Sequence, residues 1–266
     1  MKRALAAVLF ACASVSAQDR IDPVPKALER VGVEENLDAA LPLQLAFKDD
    51  RGRDVTLGSY FHPGRPVLLT LNYYRCPMLC TLELNGLVAG MKALPWTPGD
   101  AFTVVTVSFD PAETPALARA KKLSYLEELG RPSAEAGWHF LTGSAESIDA
   151  LTKAAGFSYQ YDKATGQYGH AAVVLLATPE GRVSRYLYGV TFEPATLKLA
   201  LLQASKGTIG TSWERFLMYC YHYDAEAGRY TLAAMSVMRA GGALTALALA
   251  CAVGLLWVRE RHKAAP

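Results

Sequence analysis

The chain has 266 residues, 51% of them apolar, and its 27 basic against 25 acidic residues give a formal charge of +2. That length fits one ordinary domain plus appendages, with ample chain for a core. A near-neutral balance without a long basic run argues against nucleic acid as a partner.

The first residues read as a secretory signal over 1–17. Lys2 and Arg3 form a charged start, residues 4–13 an apolar core, and Val15-Ser16-Ala17 a small-residue cleavage site before Gln18. A second reading places lipid attachment at Cys12; either one exports the domain behind it. Residues 18–36 form a polar lead-in with Pro23 and Pro25. A hairpin is expected next, with residues 43–47 and 55–57 joined by the turn Asp49-Asp50-Arg51-Gly52-Arg53. The near-continuous apolar run 67–73 reads as a buried central strand. Residues 81–94 read as a helix, with Pro77 suited to its first position. There follow a strand over 102–109, a helix over 116–129, a short strand at 140–141 and a helix over 146–155. A loop at 162–169 precedes His170, which opens a strand over 171–177. Pro179-Glu180-Gly181 turns the chain into a strand over 183–188, and a helix over 195–204 comes last. Alternating strands and helices imply a mixed central sheet with flanking helices. A reactive cysteine motif between the first central strand and a helix points to the thioredoxin-like class of α/β folds.

The domain is expected over 37–206, followed by a juxtamembrane aromatic segment over 207–235 and a C-terminal transmembrane helix over 236–258. Residues 240–258 carry no charge, and at about 1.5 Å per residue they extend roughly 28 Å, close to the hydrocarbon core of about 30 Å. Trp257 suits the interface. The tail over 259–266 holds Arg259, Arg261 and Lys263 against Glu260, which orients it to the cytoplasm. The expected protein is therefore a single-pass protein of the bacterial inner membrane with its domain on the periplasmic side.

Of the five cysteines, Cys12 lies in the signal and Cys251 in the span, so the exported part keeps Cys76, Cys80 and Cys220. A disulfide-stapled scaffold would carry more, in even number. Cys76-Pro77-Met78-Leu79-Cys80 instead suggests chemistry. If the helix includes both cysteines, they share one face about 6.2 Å apart at Cα, near the upper part of the disulfide range. Helix-start amides favour their thiolates. The pair can thus form a redox-active disulfide or converge on a soft ion. Iron–sulfur clusters usually take four cysteines and structural zinc four closed ligands, so copper(I) fits the count best. His170 is the natural third ligand. His62, His139 and His262 read as ordinary surface or hydrogen-bonded histidines. Met78 falls on roughly the opposite helix face and reads as core or rim. Cys220 and His222, two apart, offer a further metal or redox pair, while the tyrosines around them read as an interfacial collar.

These residues resemble the Sco (SenC) family of membrane-tethered copper chaperones. The resemblance rests on C-P-x-x-C at Cys76 to Cys80, on Asp110-Pro111-Ala112-Glu113-Thr114 against a D-P-x-x-D-T pattern, and on His170 ahead of an apolar strand and Pro179-Glu180-Gly181. It covers roughly residues 41–206. Thr81 replaces the family's usual proline, Tyr73-Tyr74-Arg75 precedes the first cysteine, and the family's usual anchor is N-terminal. The resemblance implies a thioredoxin-like fold with copper held by Cys76, Cys80 and His170. It implies a metallochaperone, not an enzyme in the usual sense, that delivers copper to the CuA centre of a cytochrome c oxidase subunit. The alternative is a thiol–disulfide oxidoreductase that reduces the cysteines of that subunit or another exported client. A thiol peroxidase is disfavoured, because Tyr73 stands where such enzymes carry threonine.

Overall fold

The computed structural model describes residues 31–209, the short antiparallel pair at Tyr223–Asp224 and Arg229–Tyr230, and residues 241–247 and 249. The signal, the Cys220–His222 pair, Cys251 and most of the predicted span lie outside the described residues. Among those described, no helix is long and apolar enough to cross a membrane.

Seven strands form the central sheet: β2 (Ala46–Lys48), β3 (Asp54–Thr56), β4 (Val67–Asn72), β5 (Thr103–Ser108), β6 (Trp138–Gly143), β9 (Val173–Ala177) and β10 (Val183–Tyr188). Their order is β10-β9-β4-β5-β6-β2-β3. β4, β5 and β6 run parallel, whereas β9, β10, β2 and β3 are antiparallel to their neighbours. Every residue of β4 (VLLTLN) and β5 (TVVTVS) is buried. That is the signature of parallel strands covered on both faces. Two of the polar exceptions pair with each other across the strands: Thr70 donates to Thr106 at 2.9 Å, and Trp138 Nε1 donates to Thr106 at 3.0 Å.

α1 (Leu79–Lys92), α2 (Pro115–Leu129) and α4 (Pro194–Ser205) pack over one face of the sheet. α3 (Ala145–Ala154) covers the other. Local chemistry fixes their starts. Thr114 caps α2 by accepting the Leu117 N–H, with Pro115 in the first turn, and Ser144 caps α3 by accepting the Ser147 N–H. Gly86 lets α1 approach the loop after β10, since a Cβ there would lie 1.9 Å from the Val190 carbonyl oxygen.

Two elements differ from expectation. α1 begins at Leu79 with Met78 as its cap residue, so Pro77 is not its first position and only Cys80 is helical. Cys76 sits in the preceding turn, so the two cysteines do not share a helix face. The second difference is a small sheet in the order β1-β7-β8, built from β1 (Gly32–Val33), β7 (Phe157–Asp162) and β8 (Gln167–His170). The predicted loop at 162–169 is thus mostly hairpin, and His170 ends β8 instead of opening β9. Its turn is a local device: Asp162 accepts the Ala164 N–H and the Thr165 hydroxyl at 2.9 Å each, and Gly166 takes a φ of 70°. The predicted strand at 140–141 proves to be six residues long.

Candidate metal and thiol site

The site lies where β4 ends and α1 begins. Cys76, Cys80 and His170 bring one ligand atom each to within 4.8 Å of one another. All three are buried, at 7%, 3% and 6% exposure. Both cysteines are free thiols. Two metal–sulfur bonds of about 2.3 Å span about 4.6 Å, so such a group closes on one ion with small adjustments. Two sulfurs and an imidazole suit a soft ion such as copper(I).

Hydrogen bonds set the state of each ligand. His170 Nδ1 lies 2.9 Å from the Ala171 carbonyl oxygen, which can only accept. Nδ1 therefore carries the ring proton, and Nε2 turns its lone pair toward Cys80 Sγ at 3.1 Å. Rings hold the imidazole from several sides, with Phe109 at 5.2 Å, Tyr73 at 6.1 Å and Phe157 at 6.1 Å between centroids. The two thiols are unequal. Cys76 is held far below the usual thiol range, first by the Cys80 side chain and then, against the cost of burial, by the amides of Cys80 and Met78. The Cys80 N–H lies 3.3 Å from Cys76 Sγ. Cys80 is pushed well up by burial and by its bond to Cys76. The reduced pair is accordingly a Cys76 thiolate beside a protonated Cys80.

Residues that sequence reasoning does not place here complete the site. The Glu113 carboxyl accepts the N–H groups of Tyr74 and Arg75, each at 2.7 Å, and the Ser108 hydroxyl at 2.6 Å. It thereby splints the backbone that enters the cysteine turn. Burial pushes its pKa up, opposed by those donors. Asp110 accepts from the Ala112 N–H at 2.9 Å and the Tyr168 hydroxyl at 3.3 Å, joining the end of β5 to the histidine hairpin. The Tyr73 N–H approaches Cys80 Sγ at 3.5 Å, while its hydroxyl bonds to Cys76, and burial together with that thiolate raises its pKa. Carboxylates two to five residues past a strand are the signal that could have pointed to Asp110 and Glu113; nothing local marks Tyr73. Met78 is 66% exposed and belongs to the rim. His139, on β6, packs near Tyr60 with centroids 4.2 Å apart and takes no part. A cleft of about 570 Å³, lined by Tyr73, Arg75, Pro77, Asp110, Tyr161 and Tyr168, opens beside the cysteine turn.

Fold and site together define a thioredoxin-like protein whose dithiol, at the entry to a helix, faces a strand-end imidazole. The SCO1/SenC family model matches residues 36–203, and the chain belongs to that family. Among solved structures it is similar to a protein of Aquifex aeolicus VF5, at 25% identity and TM-score 0.56, with 65% of this chain and 95% of that one covered. A SCO1/SenC family lipoprotein of Bacillus anthracis shares the fold at 18% identity and TM-score 0.51, over 66% and 98% of the two chains. Arabidopsis thaliana ScoI with copper bound aligns at 22% identity and TM-score 0.49, over 61% and 96%. The comparison with curated proteins finds no match.

Proposed function

We propose that this chain is an exported, membrane-tethered copper chaperone that takes copper(I) on Cys76, Cys80 and His170 and passes it to the CuA centre during cytochrome c oxidase assembly. The carrying observation is the buried convergence of two cysteine sulfurs and a ring nitrogen that faces Cys80 Sγ. Membership of the SCO1/SenC family supports the same reading. Copper is cargo here. Loading displaces the Cys80 proton, and burial of the ligands favours transfer by direct ligand exchange with a docked partner over release to water.

A second reading has its own support. A low-pKa thiolate beside a high-pKa thiol is the arrangement of a nucleophile with its resolving partner. Cys76 would attack a client disulfide to form a mixed disulfide. Cys80 would then displace the client's sulfur, leaving a Cys76–Cys80 bridge and a reduced client. The cargo reading is favoured because the disulfide reaction needs no His170.

That residue supplies the test. In titrations of the reduced full chain with copper(I) against a competing chelator, His170→Ala should lower affinity by more than the 10–100-fold typical of losing a ligand's outer hydrogen-bond partner. The Cys76–Cys80 reduction potential should stay nearly unchanged. Unaltered copper affinity in His170→Ala would sink the three-ligand reading.

A further inference from the structure

α4 is apolar on two opposite sides. Leu197, Ala200, Leu201 and Ala204 face inward and are buried. Ala195, Leu199 and Leu202 recur at i, i+4 and i+7 on the other side, where Leu199 is 53% and Leu202 40% exposed. A surface helix keeps its outward side polar, and one that is apolar all round is covered all round. Among the described residues nothing covers this second side of α4.

The charges along it are of one sign. Residues 194–206 contain Lys198 and Lys206 and no acid, and both lysines are exposed. Lys206 prolongs the leucine stripe at i+4 from Leu202, and Lys198 borders it with Nζ 5.7 Å above the half-buried Trp96 ring. The neighbouring α1 adds exposed Leu82 and Ala89, and its one acid, Glu83, is buried. α2 differs, because beside Leu123 it exposes Glu127 and Glu128. An apolar stripe bordered by lysines and free of acids suits an anionic lipid surface, where leucines enter the headgroup–acyl boundary and ammonium groups reach up to the phosphates. A second copy suits it less, since pairing the stripe with itself sets lysines against lysines. α4 is also the last described helix ahead of the uncharged run 240–258, so a span there keeps this face close to lipid.

We propose that the outward face of α4 rests on the anionic surface of the bilayer, with Leu199 and Leu202 at the headgroup–acyl boundary and Lys198 and Lys206 among the lipid phosphates. The inference rests on the membrane-tethered reading. Two leucines are too little to hold a domain on a bilayer by themselves, since even a myristoyl chain alone binds marginally and reversibly. A span removes that difficulty by making the contact intramolecular. The span then supplies residence and α4 supplies orientation. The cysteine turn at the start of α1, the helix beside α4, is held at a fixed angle to the membrane, which restricts how a membrane-bound partner meets it.

The test introduces a photoreactive diazirine amino acid at Leu199, and in a second protein at Leu123, in the full chain reconstituted into vesicles of phosphatidylglycerol and phosphatidylethanolamine. Both positions are exposed, so neither replacement disturbs the core. Adducts are identified by mass after illumination. The Leu199 probe should carry several-fold more lipid adducts than the Leu123 probe. That excess should shrink several-fold in vesicles of phosphatidylcholine, which has no net charge. Adducts on residues 207–239 would give the face to the chain's own following segment, and adducts on a second copy would give it to a dimer. Either result overturns the proposal, as do equal lipid yields at the two positions or an excess that does not depend on anionic lipid. Flotation of the same samples separates the two readings. A chain that floats with the vesicles but lacks the expected adducts loses the α4 contact alone. One that does not float loses the tether and the inference together.

Discussion

Glu113 shows how much of a metal site can reside in a residue that touches no metal. Its two oxygens are taken by two backbone N–H groups and one hydroxyl, and these hold open the turn from which Cys76 projects. An amide cannot replace it, since its NH₂ would face a donor. Glu113→Gln should destabilise the fold by about 1–3 kcal/mol, the range for leaving a buried donor unsatisfied. The urea midpoint should fall at unchanged m-value, and copper affinity should fall with it. An unchanged midpoint would mean that the turn holds its shape without the splint. The candidate ligands Cys76, Cys80 and His170 are legible in the sequence, because cysteine and histidine are rare and their chemistry is narrow. Glu113 is visible there only as one letter of a motif. Its importance comes from where β5 delivers it, beside Tyr74 and Arg75, nearly forty positions earlier in the chain.

At the scale of elements, the central sheet is the legible part. Continuous apolar runs such as Val67-Leu68-Leu69 and Val104-Val105 can be buried only on both faces, and capping residues mark α2 and α3. The β7–β8 hairpin is the illegible part. β7 does alternate aromatic and polar residues as a half-buried strand should, but β8 is only four residues long and contains Gly169, so the stretch beyond Asp162 looks like loop until Tyr159 is seen opposite His170. The start of α1 is illegible for a related reason. Pro77 can open a helix, but here the Glu113 carboxyl holding the Tyr74 and Arg75 N–H groups, with a local turn bond from the Cys76 N–H to the Tyr73 carbonyl, keeps that stretch out of it. A second joint ties the β2–β3 turn to α2, where Asp50 accepts from Arg119 at 2.8 Å and Lys122 at 3.2 Å. Burial opposes the Asp50 charge, but those cations outweigh it and hold its pKa below the usual value. A depressed carboxylate stabilises the fold above its unfolded pKa of about 3.9 and loses that contribution as pH falls toward the folded value. Asp50→Asn would leave the buried Lys122 ammonium without its charge partner, costing about 3–5 kcal/mol. Acid titration followed by circular dichroism should show a shallower stability loss below about pH 4 in the variant than in the parent. Equal slopes would place the acid sensitivity elsewhere.

At the scale of the molecule, the ligands gather at the carboxyl end of a parallel strand, where α/β sheets leave a crevice, and they are sealed by the aromatic hairpin. A sealed copper site is reached by a partner that docks, which makes the position of the domain part of the chemistry. Residues 240–258 carry no charge and precede Arg259, Arg261 and Lys263. We propose on that ground a single C-terminal span with the domain outside the cytoplasm. The expected behaviour is specific. The full chain should sediment with membranes and resist extraction at alkaline pH, which removes proteins held only by surface charge. A chain ending at residue 239 should leave the membrane fraction yet still bind one copper per molecule through Cys76, Cys80 and His170. Protease added outside spheroplasts should digest the domain and spare the tail after residue 258. Alkaline extraction of the intact chain would remove the span from this picture. Protection of the domain from external protease would reverse its orientation and, with it, place the cysteine pair in a reducing compartment where a bridge between Cys76 and Cys80 does not persist.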